Sequence, residues 1–152
     1  MDHQEPELIR EIRRASRERG CWPLEAYLFV YQSIDTAQRR VGEKRHVTPK
    51  ELLEGFRALA EETFGPLALM VFRTWGLSDT RDVGQMVFDM VERGLMTKTE
   101  EDQLEDFAGA WDLSEAFAPE RLARRLDARA LPSYRPVVRP MPGAARVGVA
   151  QG

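Results

Sequence analysis

Cysteine and histidine are nearly absent from this chain of 152 residues, which contains one cysteine, Cys21, and two histidines, His3 and His46. A single cysteine cannot form a disulfide within the chain. A zinc site needs three or four cysteine, histidine or carboxylate ligands at close spacing, and the sequence offers no such group. Cys21 and His46 are a conceivable nucleophile pair, but a small buried residue and a loop histidine are the more common arrangement. The sequence therefore predicts no metal site.

The motifs of the common enzyme classes are also missing. The sequence contains no GxGxxG, P-loop, GxSxG or HExxH pattern. Its paired carboxylates, Glu61–Glu62 and Glu100–Glu101, lie on polar stretches where solvation explains them, whereas a general acid needs a partly buried carboxyl. We therefore predict a protein that is not an enzyme, with no catalytic residue and no cofactor.

Two charged residues lie within apolar stretches and are the remaining candidates for chemistry, together with His46. Asp35 follows Ile34, and Arg39 lies four residues later, which is the spacing of a surface ion pair on a helix. Arg73 interrupts the run PLALMVFRTWG. Such an arginine usually lays its stem on apolar neighbours and pairs with a carboxylate. The sequence favours a structural role for both.

Long apolar runs are missing as well. The run at residues 26–31 is six residues long, whereas a membrane-spanning helix needs roughly 20 apolar residues. The N-terminal stretch MDHQEPELIREIRRASRERG has no apolar block of the kind found in secretory signals. These absences predict no membrane association and a cytoplasmic location.

Basic charge is scarce outside the C-terminus. The formal net charge is -3, and residues 131–152 contain Arg135, Arg139 and Arg146 without any acidic residue. Subtracting this +3 from -3 leaves about -6 for residues 1–130. Contact with phosphates requires clustered lysine and arginine, so nucleic acid is an improbable partner for the body of the chain.

Helical periodicity and capping residues are what the sequence does contain. Amphipathic stripes predict a first helix from Glu7 to Arg19 that ends at Gly20, and a second helix from Pro23 to Gly42. The segment HVTPKELLEGF predicts a capping box of Thr48 and Glu51 at the start of a third helix, which ends at Gly65. A fourth helix at residues 66–75 is apolar on almost all sides and is expected at the centre of the core. A fifth begins after a cap at Ser78 or Thr80 and ends at Gly94, with Leu95 folding back on Met90.

The second helix carries two apolar stripes. One contains Tyr31 and Ile34, and the other contains Phe29 and Val30 about a quarter of a turn away. A helix that is apolar on two faces lies in the centre of a core or at an interface. Phe29 and Val30 are therefore predicted to bind a partner protein or a second copy of the chain.

The order of the fourth and fifth helices and the segment after them matches a winged-helix layout. Residues 79–93 would be the recognition helix, and residues 97–107 the wing with its small hairpin. Residues 97–107, however, contain one lysine and five acidic residues, a net charge of -4 that would repel phosphate. An alternative is a short sixth helix starting at Thr99. Residues 109–117 are expected to include an extended segment.

The C-terminal part is predicted as a helix followed by a tail. The stretch SEAFAPERLARRLDAR is a basic helix, most simply a solvated face. Residues 131–152 contain four prolines and no hydrophobic period, which is typical of disorder. Within this tail Tyr134, Arg135 and Arg139 belong to SYRPVVRP, a candidate segment for docking to a partner.

Four segments of the chain carry a family resemblance. They are YLFVYQSIDTAQ, HVTPKELLEGFRALAEETFGPLALMVFRTWGL, DVGQMVFDMVERGLMTKTEEDQLEDFAG and WDLSEAF. Together they resemble a family of small uncharacterised bacterial proteins found in planctomycetes and related phyla. The resemblance covers residues 22–117 and implies no assigned activity, so no functional residue follows from it.

The sequence thus predicts a mainly α fold in which residues 1–130 form one helical domain, with a winged-helix-like arrangement and small hairpin as a candidate topology, and residues 131–152 form a disordered tail. The predicted function is a non-enzymatic module that binds a partner protein or itself. A winged-helix-like regulator that binds nucleic acid is the alternative.

Overall fold

The computed structural model describes residues 5–43 and 45–128, with side chains described up to Arg124. Within these ranges the chain is mainly helical and has no strand, which confirms the predicted helical class. The predicted tail lies outside the described residues. The helices are α1 (Glu7–Arg19), α2 (Leu24–Val41), α3 (Pro49–Phe64), α4 (Ala68–Trp75), α5 (Thr80–Glu92), α6 (Leu113–Ala116) and α7 (Pro119–Ala128), with 3₁₀ turns at Gly65–Leu67 and Leu104–Phe107.

Local signals set the helix ends largely as predicted. The first two helices end where Gly20 and Gly42 adopt left-handed backbone angles. The capping box of α3 is formed, because Thr48 Oγ1 accepts from the Glu51 amide at 3.1 Å and Glu51 accepts from the Thr48 amide at 2.9 Å. These bonds satisfy amides that the first turn of a helix leaves free.

The two ends of α5 differ in how well the sequence predicted them. Its cap is Asp79, in a capping box with Asp82, and not Ser78 or Thr80. The predicted end is confirmed, since the Leu95 amide bonds to the Met90 carbonyl at 2.9 Å in the Schellman pattern. The chain therefore reverses sharply after α5 and returns along it.

The core is centred on α2, which packs most extensively against α3. The two helices approach closely at Gly55, where a Cβ atom would lie 2.8 Å from the backbone nitrogen of Ala37. A ring cluster fills the space between α2, α3, α4 and α6. Its members are Phe29, Phe56, Phe64, Phe72, Trp75, Trp111 and Phe117.

The fourth helix is not buried on all sides, contrary to the prediction. Phe72 is fully buried, but Met70 is 60% exposed, and Leu67 in the preceding turn is 57% exposed. The helix is only eight residues long and covers one edge of the core, so its far side faces solvent.

No wing forms in the part of the chain described. The segment predicted as a hairpin folds as turns and the 3₁₀ turn Leu104–Phe107. Phe107 is buried against Gly84 of α5, where a Cβ atom would lie 2.5 Å from its ring. The Thr80 hydroxyl donates to the Phe107 carbonyl and accepts from the Ala110 amide at 3.0 Å. The loop is thus held onto α5 without strand pairing. The stretch predicted as extended is also partly helical, because α6 starts at Leu113.

A polar network joins α1, α2 and α5. The carboxylate of Asp89 is nearly buried and accepts two bonds from Arg19, at 2.7 and 3.1 Å. It also accepts from the Tyr27 hydroxyl at 2.7 Å and from the Gln85 amide at 3.1 Å. Burial raises the pKa of Asp89, but the bonds from Arg19, Tyr27 and Gln85 outweigh it and lower the pKa below 3.8.

This lowered pKa makes the network sensitive to acid. Because the folded state binds the Asp89 proton more weakly than the unfolded chain, the stabilisation is complete above the unfolded pKa of 3.8 and is lost as pH falls through the folded value. We expect the difference in free energy of unfolding between the native chain and the Asp89→Asn variant to shrink as the pH falls below 3.8, as measured by urea denaturation. A difference that is constant across this range would contradict the assignment.

Candidate functional site

An open groove of about 470 Å³ lies between α2, the start of α3, α5 and the loop that follows α5. The volume of the groove falls within the range of about 300–1,000 Å³ that is typical of ligand pockets. We call residues 97–107 of the loop after α5 the acidic loop. The residues that line the groove are Tyr31, Ile34, Asp35, Gln38, Arg45, His46, Val47, Thr48, Pro49, Leu52, Val87, Phe88, Leu95, Met96, Thr97, Lys98, Asp102 and Phe107.

The floor of the groove is apolar because four segments direct hydrophobic side chains towards it. Tyr31 and Ile34 are one turn apart on α2, and Phe88 comes from α5. The Schellman turn brings Leu95 back beside α5, and Val47, which precedes the Thr48 cap of α3, closes the other side. These five side chains are half-buried, so each keeps apolar surface open to the groove.

A hydrogen bond crosses the mouth of the groove. His46 Nε2 lies 2.7 Å from Asp102 Oδ2, which joins the α2–α3 loop to the acidic loop. Burial raises the pKa of Asp102, but the Thr99 amide at 2.9 Å and the His46 ring outweigh it and lower the pKa. Two walls that are 56 residues apart in sequence are thereby held at a fixed separation.

The α2–α3 loop is fixed by Arg45. Its guanidinium bonds both oxygens of Glu51, at 3.0 and 3.1 Å, and donates to the His46 carbonyl at 2.8 Å. The bonds from Arg45 and from the Thr48 amide lower the pKa of Glu51 to about 2. Arg45 is therefore committed to holding this wall, and its charge is already neutralised.

Of the charged residues that line the groove, Asp35 and Arg45 form ion pairs and Asp102 is bonded by His46, whereas Lys98 forms no ion pair within the described residues. The Lys98 ammonium lies 5.5 Å from the centre of the Phe88 ring, as in a cation–π contact. The acidic loop also carries carboxylates that face solvent on the outer side of this wall. They are Glu100, Glu101, Glu105 and Asp106. One side of the groove is therefore bordered by negative potential.

The structure corrects the prediction that Phe29 and Val30 bind a partner. Phe29 is 5% exposed and Val30 is 0% exposed, because this stripe of α2 packs into the ring cluster and against α3. It is the other stripe, with Tyr31 and Ile34, that borders the groove. The remaining predicted partner-binding residues, Tyr134, Arg135 and Arg139, lie outside the described residues.

The candidates for chemistry are not brought together. Cys21 is exposed and follows α1, so it is not the small buried residue that was predicted, and it does not line the groove with His46. Asp35 forms the predicted exposed pair with Arg39 at 3.2 Å. Arg73 faces solvent on α4. No group of three or more potential metal ligands occurs in residues 5–43 and 45–128.

Comparisons with known proteins give no further guide to the site. No family model, curated protein or solved structure matches the chain. The family resemblance of residues 22–117 therefore stays a prediction. No helix within the described ranges has both the length and the apolar character needed to cross a bilayer.

Proposed function

We propose that this protein is a non-enzymatic binding module that holds a segment of a partner protein in the groove. The observation that supports this most is the unfilled apolar floor, in which Tyr31, Ile34, Phe88 and Leu95 keep surface open beside a well-packed core. Burial of such surface stabilises a complex by about 25 cal/mol per Å² before the costs of association. Two or three large side chains of a partner segment would fill the volume.

The partner segment should combine apolar side chains with lysine or arginine. The outer wall of the groove presents carboxylates of Glu100, Glu101 and Glu105, whereas Asp102 is already bonded by His46. Opposite charges across an interface mainly increase the association rate and the specificity. An acidic segment would meet repulsion here, so we assign the groove to a basic partner with apolar anchors.

The groove is suited to binding because its walls are fixed before a partner arrives. The bond between His46 and Asp102, the ion pair of Arg45 with Glu51 and the Schellman turn at Leu95 hold three of its sides. A preformed site avoids the entropy cost of ordering loops on binding.

A nucleic-acid-binding regulator is the weaker proposal. The turn between α4 and α5 resembles a helix–turn–helix, but Arg81 is the one basic side chain in the first turn of α5, and it lies between two aspartates in the sequence. Asp79 and Asp82 cap the helix, and the Gln85 amide bonds Asp89. Fluorescence anisotropy with duplex DNA and with RNA at low salt tests this alternative directly, since binding would fall steeply as salt increases.

Selection from a library of peptides displayed on phage tests the main proposal. We expect the enriched peptides to share two or more large apolar residues next to lysine or arginine. Replacing Ile34 and Phe88 together by glutamine should weaken the binding of such a peptide at least about tenfold, since apolar anchors dominate binding at sites of this kind. Binding is measured by fluorescence anisotropy, and thermal unfolding confirms that each variant folds.

A matched control uses an exposed apolar pair that does not line the groove. The same glutamine substitutions at Leu67 and Met70 should leave peptide affinity unchanged. Enriched peptides without basic residues, or an equal loss of affinity in the two double variants, would refute the proposed site.

A further inference from the structure

The groove and the C-terminal part of this same chain have complementary chemistry. Residues 131–152 carry three arginines and no acidic residue, whereas the acidic loop has a net charge of -4. Val137 and Val138 lie between Arg135 and Arg139, with Pro136 and Pro140 interspersed. This is the combination of apolar and basic residues that the proposed function assigns to a partner of the groove.

The length of chain between α7 and the two valines limits where these valines can bind. The last described helix, α7, packs against the Gly65–Leu67 turn at the end of α3, whereas the groove lies at the start of α3. The 16 residues of α3 and the 10 residues of α7 span roughly 24 Å and 15 Å at 1.5 Å per residue. Val137 and Val138 lie nine and ten residues after Ala128, and a chain of this length spans up to roughly 30 Å at 3.3 Å per residue. This exceeds the length of α3 but not the combined length of α3 and α7.

We propose that residues 131–152 bind in the groove of the same molecule, with Val137 and Val138 against its apolar floor and Arg135 and Arg139 towards the acidic loop. This inference rests on the proposed function, since it assigns an internal competitor to the same site. A partner segment must displace the tail. Its apparent affinity is therefore its affinity for a free groove multiplied by the fraction of molecules whose groove is free.

A nitroxide label on the full-length chain tests where the tail binds. Cys21→Ser removes the native thiol, and Ala144→Cys provides the labelling site. We expect the label to broaden the methyl signals of Ile34, Leu95 and Met96, and to broaden them much less when Arg135 and Arg139 are both replaced by glutamate. Broadening that misses these methyls, or that persists unchanged after the charge reversal, would overturn the proposal.

Mixing separates binding within one molecule from binding between molecules. In a sample that combines nitroxide-labelled chains without isotopes and unlabelled chains with isotope-enriched methyls, the proposal expects no broadening of groove signals. Broadening in this mixture would assign the groove to the tail of a second copy and overturn the intramolecular assignment.

Affinity for a selected peptide distinguishes failure of this inference from failure of the proposed function. The full-length Arg135→Glu, Arg139→Glu variant should bind the peptide about three- to tenfold more tightly, which corresponds to a tail that fills the groove for about two thirds to nine tenths of the time. Unchanged affinity refutes the tail as occupant but leaves the groove as a partner site. If the groove variant Ile34→Gln, Phe88→Gln binds the peptide as well as the native chain does, the proposed function itself fails.

Discussion

The Asp89→Ala variant is expected to lose about 3 kcal/mol of unfolding free energy, the largest effect of any single substitution considered. Its carboxylate accepts all four bonds of the network, and Tyr27, one of the donors, is fully buried. Removal of one partner from a buried charged network leaves the others without compensation, which costs about 3–5 kcal/mol. We take the lower end because Arg19 is partly exposed and can be rehydrated.

The exposed ion pair of Asp35 with Arg39 is the matched control. Both side chains are largely in solvent, so Asp35→Ala should change the free energy of unfolding by less than about 0.5 kcal/mol. Urea denaturation at pH 7 gives both values. Equal losses in the two variants would show that the Asp89 network contributes no more than a surface pair, against the geometry described.

The Gly55→Ala variant is expected to be less stable than the native chain by about 2 kcal/mol. Helix propensity alone would give the opposite sign, since alanine in place of glycine stabilises a helix interior by about 1 kcal/mol. The added Cβ atom, however, would lie 2.8 Å from the nitrogen and 2.9 Å from the Cα of Ala37, and a backbone cannot move aside as a side chain can. Overpacking of this kind costs about 1–3 kcal/mol or more, because α2 and α3 must separate.

Glu54 provides the control for this substitution. It precedes Gly55 on α3 and is exposed, so Glu54→Ala should be nearly neutral. Thermal and urea unfolding of both variants give the sign of each change in stability. A stabilised Gly55→Ala variant would show that propensity governs this position and that the two helices are not in close contact there.

Local signals in the sequence were sufficient to predict much of the secondary structure. The bounds of α1, the capping box at Thr48 and Glu51 and the reversal at Leu95 all depend on residues within one turn of each other. Such short-range bonds form wherever the residues permit them. The cap of α5 was assigned to the wrong residue because Ser78, Asp79 and Thr80 are all good caps, and the choice depends on contacts with the distant loop at Phe107 and Gly109.

The groove could not be predicted in the same way, because its walls come from residues far apart in sequence. His46 and Asp102 are separated by 56 positions, and Tyr27 and Asp89 by 62. The periodicity of α2 identified two apolar stripes but could not tell which of them α3 covers. That choice depends on Gly55, which allows α3 to pack closely at Ala37 and buries the stripe of Phe29 and Val30.

The charge of the acidic loop could be predicted from its composition, but its backbone fold could not. Its composition predicted a strongly negative segment, and four of its five carboxylate residues are exposed, whereas the hairpin expected from the element order does not form in the described residues. Helix order alone is compatible with several folds, and here Thr80 and Gly84 fix the loop onto α5 through bonds and close packing that no periodicity reveals.

Methyl NMR of the full-length chain shows directly whether the groove is the binding site. The chain, enriched at isoleucine, leucine, valine and methionine methyls, is titrated with a peptide selected by phage display. We expect the signals of Ile34, Val87, Leu95 and Met96 to shift in proportion to occupancy, while those of Leu67 and Met70 stay in place. Shifts centred on Leu67 and Met70, with the groove signals unmoved, would contradict the account.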